Sequence, residues 1–310
     1  MMTSEELNMY IAAGAVNEVI RVAEAKQVKY LSRIADEICD RRGARLVLVT
    51  GASAAGKTTT AKRLCTQLLV NDRPAAINIS TDDYFVGDDL TPRDENGELD
   101  YEHVECVDIR QLADDMNALM RCEPVKRRRF DFVNHRPVFT DELISVPEGG
   151  MIVLEGIHAL NPRLTEGIDD AVKFRVFIEP RPNLDVFGGI TPSPSDARFL
   201  RRMVRDHQFR KRSPIETVRL WPKVRAGEAK WIDPFRAGAD AAFNSYLTYE
   251  LAALKFYVGG LLERCRLELG EDRQVMNMIR LLNAVDPISP EAIPGDSILR
   301  ETIGGSQLEY

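Results

Sequence analysis

The sequence predicts an α/β domain, with a parallel sheet flanked by helices. Three observations carry this. LVLVT (46–50), AAINIS (75–80) and MIVLEG (151–156) are short unbroken apolar runs, as expected of strands covered on both faces. Stretches with helical spacing separate the strands, at 57–70, 107–121, 197–212 and 245–269. Strand and helix thus alternate, and a parallel sheet with right-handed crossovers is the economical arrangement.

Taken in order, residues 15–42 read as one long amphipathic helix. Val16, Val19, Ile20, Ala23, Leu31, Ile34 and Ile38 recur at helical spacing, and Gly43 closes it. KFRVFIE (173–179) alternates more than the other strands, which suits a place nearer a sheet edge, and ADAAFNS (239–245) holds a last short strand. Two segments interrupt the rhythm. Residues 124–148, rich in charge and aromatics, suggest an inserted hairpin, and the Pro- and Gly-rich stretch 180–196 suggests a loop or hinge. The tail 283–310 reads as mostly irregular. The expected organisation is therefore a helical extension (1–43), a catalytic-size domain (44–245) and a C-terminal helix and tail (246–310).

The 310 residues are 44% hydrophobic, enough for a sizeable core, and carry 41 basic against 48 acidic side chains, a net charge of −7. An acidic balance argues against general nucleic-acid binding but allows a local phosphate site. The five cysteines form no CxxC pair, so neither a disulfide framework nor a zinc site is indicated. The N-terminus has early acids and no secretory core, and no run reaches the ~18 apolar residues of a membrane span. A cytoplasmic protein with no membrane partner is expected.

Directly after LVLVT comes GASAAGKTTT. Gly51, Gly56, Lys57 and Thr58 satisfy G-x-x-x-x-G-K-[ST], between a strand and a helix as the motif requires. This predicts a P-loop NTPase fold. The backbone of Gly51, Ala52, Ser53, Ala54, Ala55 and Gly56, with Thr59, would wrap ATP phosphates at a helix N-terminus. Lys57 would reach the β- and γ-phosphates, and Thr58 would hold Mg²⁺. Ligands of open parallel sheets bind at the carboxyl ends of strands. Asp82 and Asp83 follow the second strand and Glu155 ends the third, so these oxygens converge with Thr58 on one edge. Neighbouring side chains in an extended chain point oppositely, so one of Asp82 and Asp83 is expected at the metal.

ARFLRRMVRDHQFRKR (197–212) places Arg198, Arg202 and Arg205 on one helix face, with Arg201 beside them and Arg210, Lys211 and Arg212 following. Seven bases against one acid suit a phosphate site that must neutralise developing charge. A lid at 197–225 hinged at 180–196 is the expectation.

These pieces, from about Leu46 to Arg225, resemble the uridine kinase/phosphoribulokinase family of P-loop kinases. STDDYF resembles the strand-end segment whose first acidic residue lies at the acceptor hydroxyl and near Mg²⁺, which implies Asp82 as the catalytic carboxylate. ELDYEHVECVD (98–108) looks like the ribose-binding segment and implies Asp100. RFDFVNHRP (129–137) looks like the base-holding hairpin, implying Phe130 stacking and His135 contacting the base. VLEGIHAL carries the second metal-associated acid, Glu155. The arginine-rich segment implies Arg202 and Arg205 in catalysis, Arg210 and Arg212 on ATP, and Arg202 and Arg212 at the acceptor. Phe130 stands where uridine kinases often have tyrosine. FNSYLTYELAALK and SILRETIGGS go beyond the compact enzymes and look like a bacterial subgroup fused to threonyl-tRNA synthetase-like domains.

The expected activity is ATP- and Mg²⁺-dependent phosphoryl transfer to a hydroxyl of a small molecule, with the 5′-OH of uridine or cytidine first. A sugar, sugar phosphate or other small alcohol is the alternative acceptor. A regulatory or RNA-associated ATP-binding module with little turnover is the alternative of another class. A homo-oligomer is compatible with all three. His158 is expected as a packed residue, His103 and His207 at the surface, and Trp221 and Trp231 as core anchors.

Overall fold

The computed structural model describes residues 1–186 and 191–308. Positions 187–190 of the expected 180–196 connection lie outside the described residues. In chain order the strands are β1 (Met2–Thr3), β2 (Leu46–Thr50), β3 (Ala76–Ser80), β4 (Val125–Asp131), β5 (Arg136–Ile144), β6 (Met151–Glu155), β7 (Lys173–Glu179), β8 (Leu184–Asp185) and β9 (Ala241–Asn244). The helices are α1 (Ser4–Ala12), α2 (Val16–Asp40), α3 (Lys57–Val70), α4 (Ile109–Met120), α5 (Pro194–Phe209), α6 (Pro214–Trp231), α7 (Glu250–Leu269), α8 (Arg273–Asn283) and α9 (Arg300–Ile303).

The central sheet runs β3-β6-β2-β7-β9, and every pairing in it is parallel. The fold is thus the expected α/β class. All five residues of β2 and of β6 are buried, which is why they read as unbroken apolar runs. β7 lies between β2 and the edge strand β9, nearer the edge than β2, and its Arg175 and Glu179 are partly exposed. β4 and β5 form the separate antiparallel hairpin expected at 124–148.

Two apolar clusters cover the sheet. The larger joins Val47 and Val49 to α2 (Ile20, Leu31, Ile38), α5 (Phe199, Leu200, Met203), α7 (Leu254, Val258) and the tail (Ile298, Leu299). The N-terminal helix and the C-terminal elements therefore share one core with the catalytic sheet. The smaller cluster packs Leu46, Leu48, Ile152 and Leu154 against α4 through Leu112, Met116 and Leu119.

α5 is where the structure departs most from expectation. Phe199, Leu200 and Met203 are fully buried and Val204 nearly so. The expected lid therefore begins as a core helix, and the chain then breaks at Arg210–Ser213 before a second helix, α6. A helix so embedded delivers its arginines to the cleft from a fixed base.

Candidate active site

The site lies at the carboxyl edge of the sheet, in a cleft of about 1080 Å³. The phosphate loop leaves β2 at Thr50 and enters α3 at Lys57. Gly56 makes that entry with φ +87°, left-handed backbone that an L side chain rarely adopts. No side chain caps α3 at Gly56.

The carbonyls of Ser53, Ala54 and Ala55 accept hydrogen bonds from outside the loop. Arg201 Nη1 donates to Ala54 O (3.4 Å) and Ala55 O (3.3 Å), and Ser245 Oγ donates to Ala55 O at 2.6 Å. Arg198 Nη1 donates to Ser53 O at 3.4 Å and Arg202 Nη1 to Ser53 Oγ at 2.8 Å. Ala55 N–H donates within the loop to Ala52 O at 3.0 Å, and a loop at a helix N-terminus suits an anion.

At the head of the cleft Thr58 Oγ1 donates to Glu155 Oε1 at 3.2 Å. Burial first, and the charge of Asp82 second, push the Glu155 carboxyl up to about 7, against the pull of Lys57. Burial also lowers the Lys57 ammonium, with Glu155 and Asp82 opposing. Asp82 sits in a 3-10 turn (Thr81–Tyr84) begun by Ser80, whose Oγ accepts from Asp82 N at 3.3 Å. The far end of that turn is pinned by Tyr84 Oη donating to Asp115 at 2.8 Å. Asp82 Oδ1 is buried and has no hydrogen-bond partner among the described residues. An unpartnered buried carboxylate oxygen is costly, so a ligand is its natural complement. Asp83 instead faces Arg129 at 3.6 Å, and burial raises its carboxyl to about 6.

Across the cleft, Asp206 is fully buried, with Arg202 and Arg205 at 3.2 Å, Arg212 at 3.4 Å and Arg210 at 3.9 Å. Burial alone would raise its carboxyl, but Arg205 and Arg202 foremost hold it below the usual range. One carboxylate against four guanidinium groups leaves positive charge for an incoming phosphate. Arg198 and Arg201 play another part. Each is buried against an acid of another helix, Glu228 at 2.6 Å and Glu250 at 2.6 Å.

The acceptor end is built by the hairpin and the 84–107 segment. Phe130 lines it, edge-on to Phe85 (5.4 Å) and Phe132 (5.2 Å). His135 lines it too, tilted 5.4 Å from the Tyr101 ring, with Nδ1 at 3.6 Å from Asp88. Asp100, expected at the ribose, is not among the described residues that line the cleft. Its Oδ1 accepts from Glu102 N at 3.2 Å, so it shapes a turn. That turn delivers Tyr101 and Glu102 to the cleft instead. Burial raises the Glu102 carboxyl, while Arg202 and Lys57 pull it down. Glu102 reaches in over Gly227 of α6, where an added Cβ would sit 2.5 Å from Glu102 Cβ. Sequence reasoning missed Glu102, and a glycine inside a helix was the available signal. Arg127, Arg129 and Glu301 also line the cleft and were likewise missed. His158 is buried as expected and lies outside the cleft lining.

A phosphate loop, two strand-end acids and an arginine cluster on a parallel sheet define a P-loop phosphotransferase. Residues 46–252 match the Phosphoribulokinase / Uridine kinase family, and the chain belongs to that family. It is 26% identical over 196 residues to a uridine kinase of Lactobacillus helveticus, covering 63% of this chain and 83% of the relative. A uridine kinase of Deinococcus deserti is 25% identical over 193 residues, covering 62% and 83%. A solved structure described as a possible uridine kinase from Bacillus stearothermophilus aligns with 70% of this chain and 98% of its own, with 16% identity and a TM-score of 0.45. The protein is therefore a small-molecule kinase, a phosphotransferase acting on an alcohol group. No helix among the described residues is long and apolar enough to cross a membrane.

The Glu155 geometry has a measurable consequence for ligand-free protein. The unfolded carboxyl loses its proton near 4.5, the native one near 7. Between these values the native state binds more protons, so stability falls as pH rises. Glu155→Gln removes this dependence. The Tm of wild type minus that of Glu155→Gln, without nucleotide or metal, should therefore decrease from pH 5 to pH 7.5. Parallel Tm profiles would show that Glu155 is not the buried acid described.

Proposed function

We propose that the protein transfers the γ-phosphoryl group of ATP to the 5′-hydroxyl of a pyrimidine nucleoside, uridine or cytidine. The observation that carries this is the buried, unpartnered Asp82 Oδ1, which stands between the phosphate loop and an aromatic acceptor pocket. The uridine kinases among its relatives support the same acceptor.

Each end has a role set by its chemistry. Loop amides and Lys57 hold the β- and γ-phosphates. Asp82 orients the attacking hydroxyl and takes its proton. Arg202, Arg205, Arg210 and Arg212 balance charge on the transferring group, whose loose transition state needs positioning more than covalent help. Phe130 and its aromatic neighbours pack the base, and His135 meets its edge. Glu102, rather than Asp100, accepts from the vicinal ribose hydroxyls. The residues fit Mg²⁺. Thr58, Asp82 and Glu155 offer oxygens, and among the described residues no group of three or more His, Cys, Asp or Glu forms a protein cage. That suits a cation which keeps waters and substrate phosphates as ligands. When bound, Mg²⁺ would neutralise charge on the phosphates.

The test is transfer from [γ-³²P]ATP to uridine, cytidine, deoxyuridine and a panel of sugars and sugar phosphates. The nucleosides should be labelled, and a sugar as the sole acceptor would overturn the reading. A 2′-deoxyribose leaves a Glu102 oxygen unpaired, at a cost of ~1–3 kcal/mol. Wild type should thus favour uridine over deoxyuridine by at least ~5-fold in kcat/KM. Glu102→Ala should shrink that ratio while Asp100→Ala preserves it. An unchanged ratio in Glu102→Ala would remove Glu102 from the ribose site.

A further inference from the structure

The tail read as irregular crosses the phosphate loop. Ser297 and Leu299 are fully buried, and Ile298 and Ile303 nearly so. Ser297 Oγ lies 3.2 Å from Tyr249 Oη. Ile298 covers Gly56, where an added Cβ would meet Ile298 Cδ1 at 2.5 Å. Arg300 fixes the return of the chain, donating to Pro294 O at 3.2 Å and Gly304 O at 3.2 Å. The segment is anchored on both sides of α9, and residues 304–306 continue along the cleft wall.

This anchoring sets Glu301 at the N-terminus of α3. Its Oε2 accepts from Thr59 N at 3.2 Å and from Thr59 Oγ1 at 2.8 Å. Thr59 is the third residue of α3, so its N–H is one of the first-turn donors that lack an intrahelical acceptor. Such donors, with the positive end of the helix, are what a nucleotide phosphate uses on a loop of this kind. Glu301 already supplies an anion there. Its charge also bears on Lys57 and Glu155, the groups at the phosphate end of the cleft. A phosphate and a carboxylate cannot both take the single Thr59 N–H without close repulsion between like charges.

We propose that Glu301 is an internal stand-in for nucleotide phosphate, which engages Thr59 at the N-terminus of α3 and must yield it when ATP binds. The C-terminal segment thereby sets nucleotide affinity. This rests on the loop being the ATP site, as read above. Because Ile298, Leu299 and Ile303 stay buried, the exchange is a swing of the Glu301 side chain rather than detachment of the tail. The apparent affinity is the intrinsic one scaled by the fraction of molecules with Thr59 released.

The experiment is calorimetric binding of ATP and of inorganic tripolyphosphate to wild type, Glu301→Gln, Glu301→Ala and Lys57→Ala at one ionic strength, with the Tm of each ligand-free protein. Glu301→Gln and Glu301→Ala should bind ATP ~10-fold more tightly. Tripolyphosphate should gain equally, since the competition is for phosphate donors and not for the base. The ligand-free Tm of Glu301→Ala should fall, because the two hydrogen bonds from Thr59 to Glu301 are lost. Tighter binding with lower Tm separates competition from a merely structural role, which would lower both. Glu301→Gln keeps the side-chain size and one acceptor oxygen, so it reports even where the alanine variant folds poorly. Equal or weaker ATP binding in Glu301→Gln overturns the proposal. If wild type binds no ATP and matches Lys57→Ala, the donor-site reading itself fails, and this inference with it.

Discussion

Asp82→Asn should lower kcat by ~10²–10⁴, the usual worth of a positioned acid or base, while the Kd for ATP stays within a few-fold of wild type. Asp83→Asn should cost less than ~10-fold. The two residues are adjacent, yet their surroundings differ. Asp82 Oδ1 is buried without a partner at the head of the cleft, whereas Asp83 faces Arg129 of the hairpin. The amide keeps the shape of Asp82 and loses the charge proposed above to take the hydroxyl proton. An indirect effect through Glu155 runs the wrong way to explain the loss. The Asp82 charge raises the Glu155 carboxyl, so its removal favours ionised Glu155. Single-turnover rates with saturating nucleoside, beside ATP affinities, separate chemistry from binding. A greater loss in Asp83→Asn than in Asp82→Asn would move the catalytic role to the neighbour.

The parts of this site that are local in sequence were legible in it. The phosphate loop, Asp82 and Glu155 each follow a buried strand, and strand ends in a parallel sheet share one edge by topology alone. The parts fixed by distant contacts were not. Asp100 and Glu102 differ by two positions, and the turn that Asp100 closes onto Glu102 N decides which of them enters the cleft. The arginine spacing on α5 predicted a common face, but it cannot show that Glu228 and Glu250 wait on other helices for Arg198 and Arg201. Nor does an apolar and polar mixture such as SILRETIGGS reveal that Ile298 lies over Gly56 and Glu301 on Thr59. The helix read as a lid is core because four of its apolar residues, Phe199, Leu200, Met203 and Val204, turn inward.

Arg201→Met should destabilise the protein by ~3–5 kcal/mol, a large share of the ~5–15 kcal/mol available to a folded domain. The Glu250 side chain is wholly buried, and Arg201 meets it through two bonds of 2.6 and 2.7 Å. Without the guanidinium, Glu250 is a buried charge that retains only neutral donors such as Leu247 N at 3.3 Å. Removing the second charge as well should relieve most of that cost, since paired charges in a core are often replaceable. The double variant Arg201→Met/Glu250→Gln should therefore recover stability over Arg201→Met in urea titrations. ATP affinity should not recover with it. Arg201 Nη1 also reaches the carbonyls of Ala54 and Ala55, and a neutral replacement leaves these loop acceptors with less to hold them in place. The loop then loses the arrangement that suits phosphate. Stability and binding thus part company in the double variant, because one guanidinium serves a buried acid on one side and the phosphate loop on the other. A loss under ~1 kcal/mol in Arg201→Met would contradict the buried pair, and restored ATP affinity in the double variant would contradict its hold on the loop.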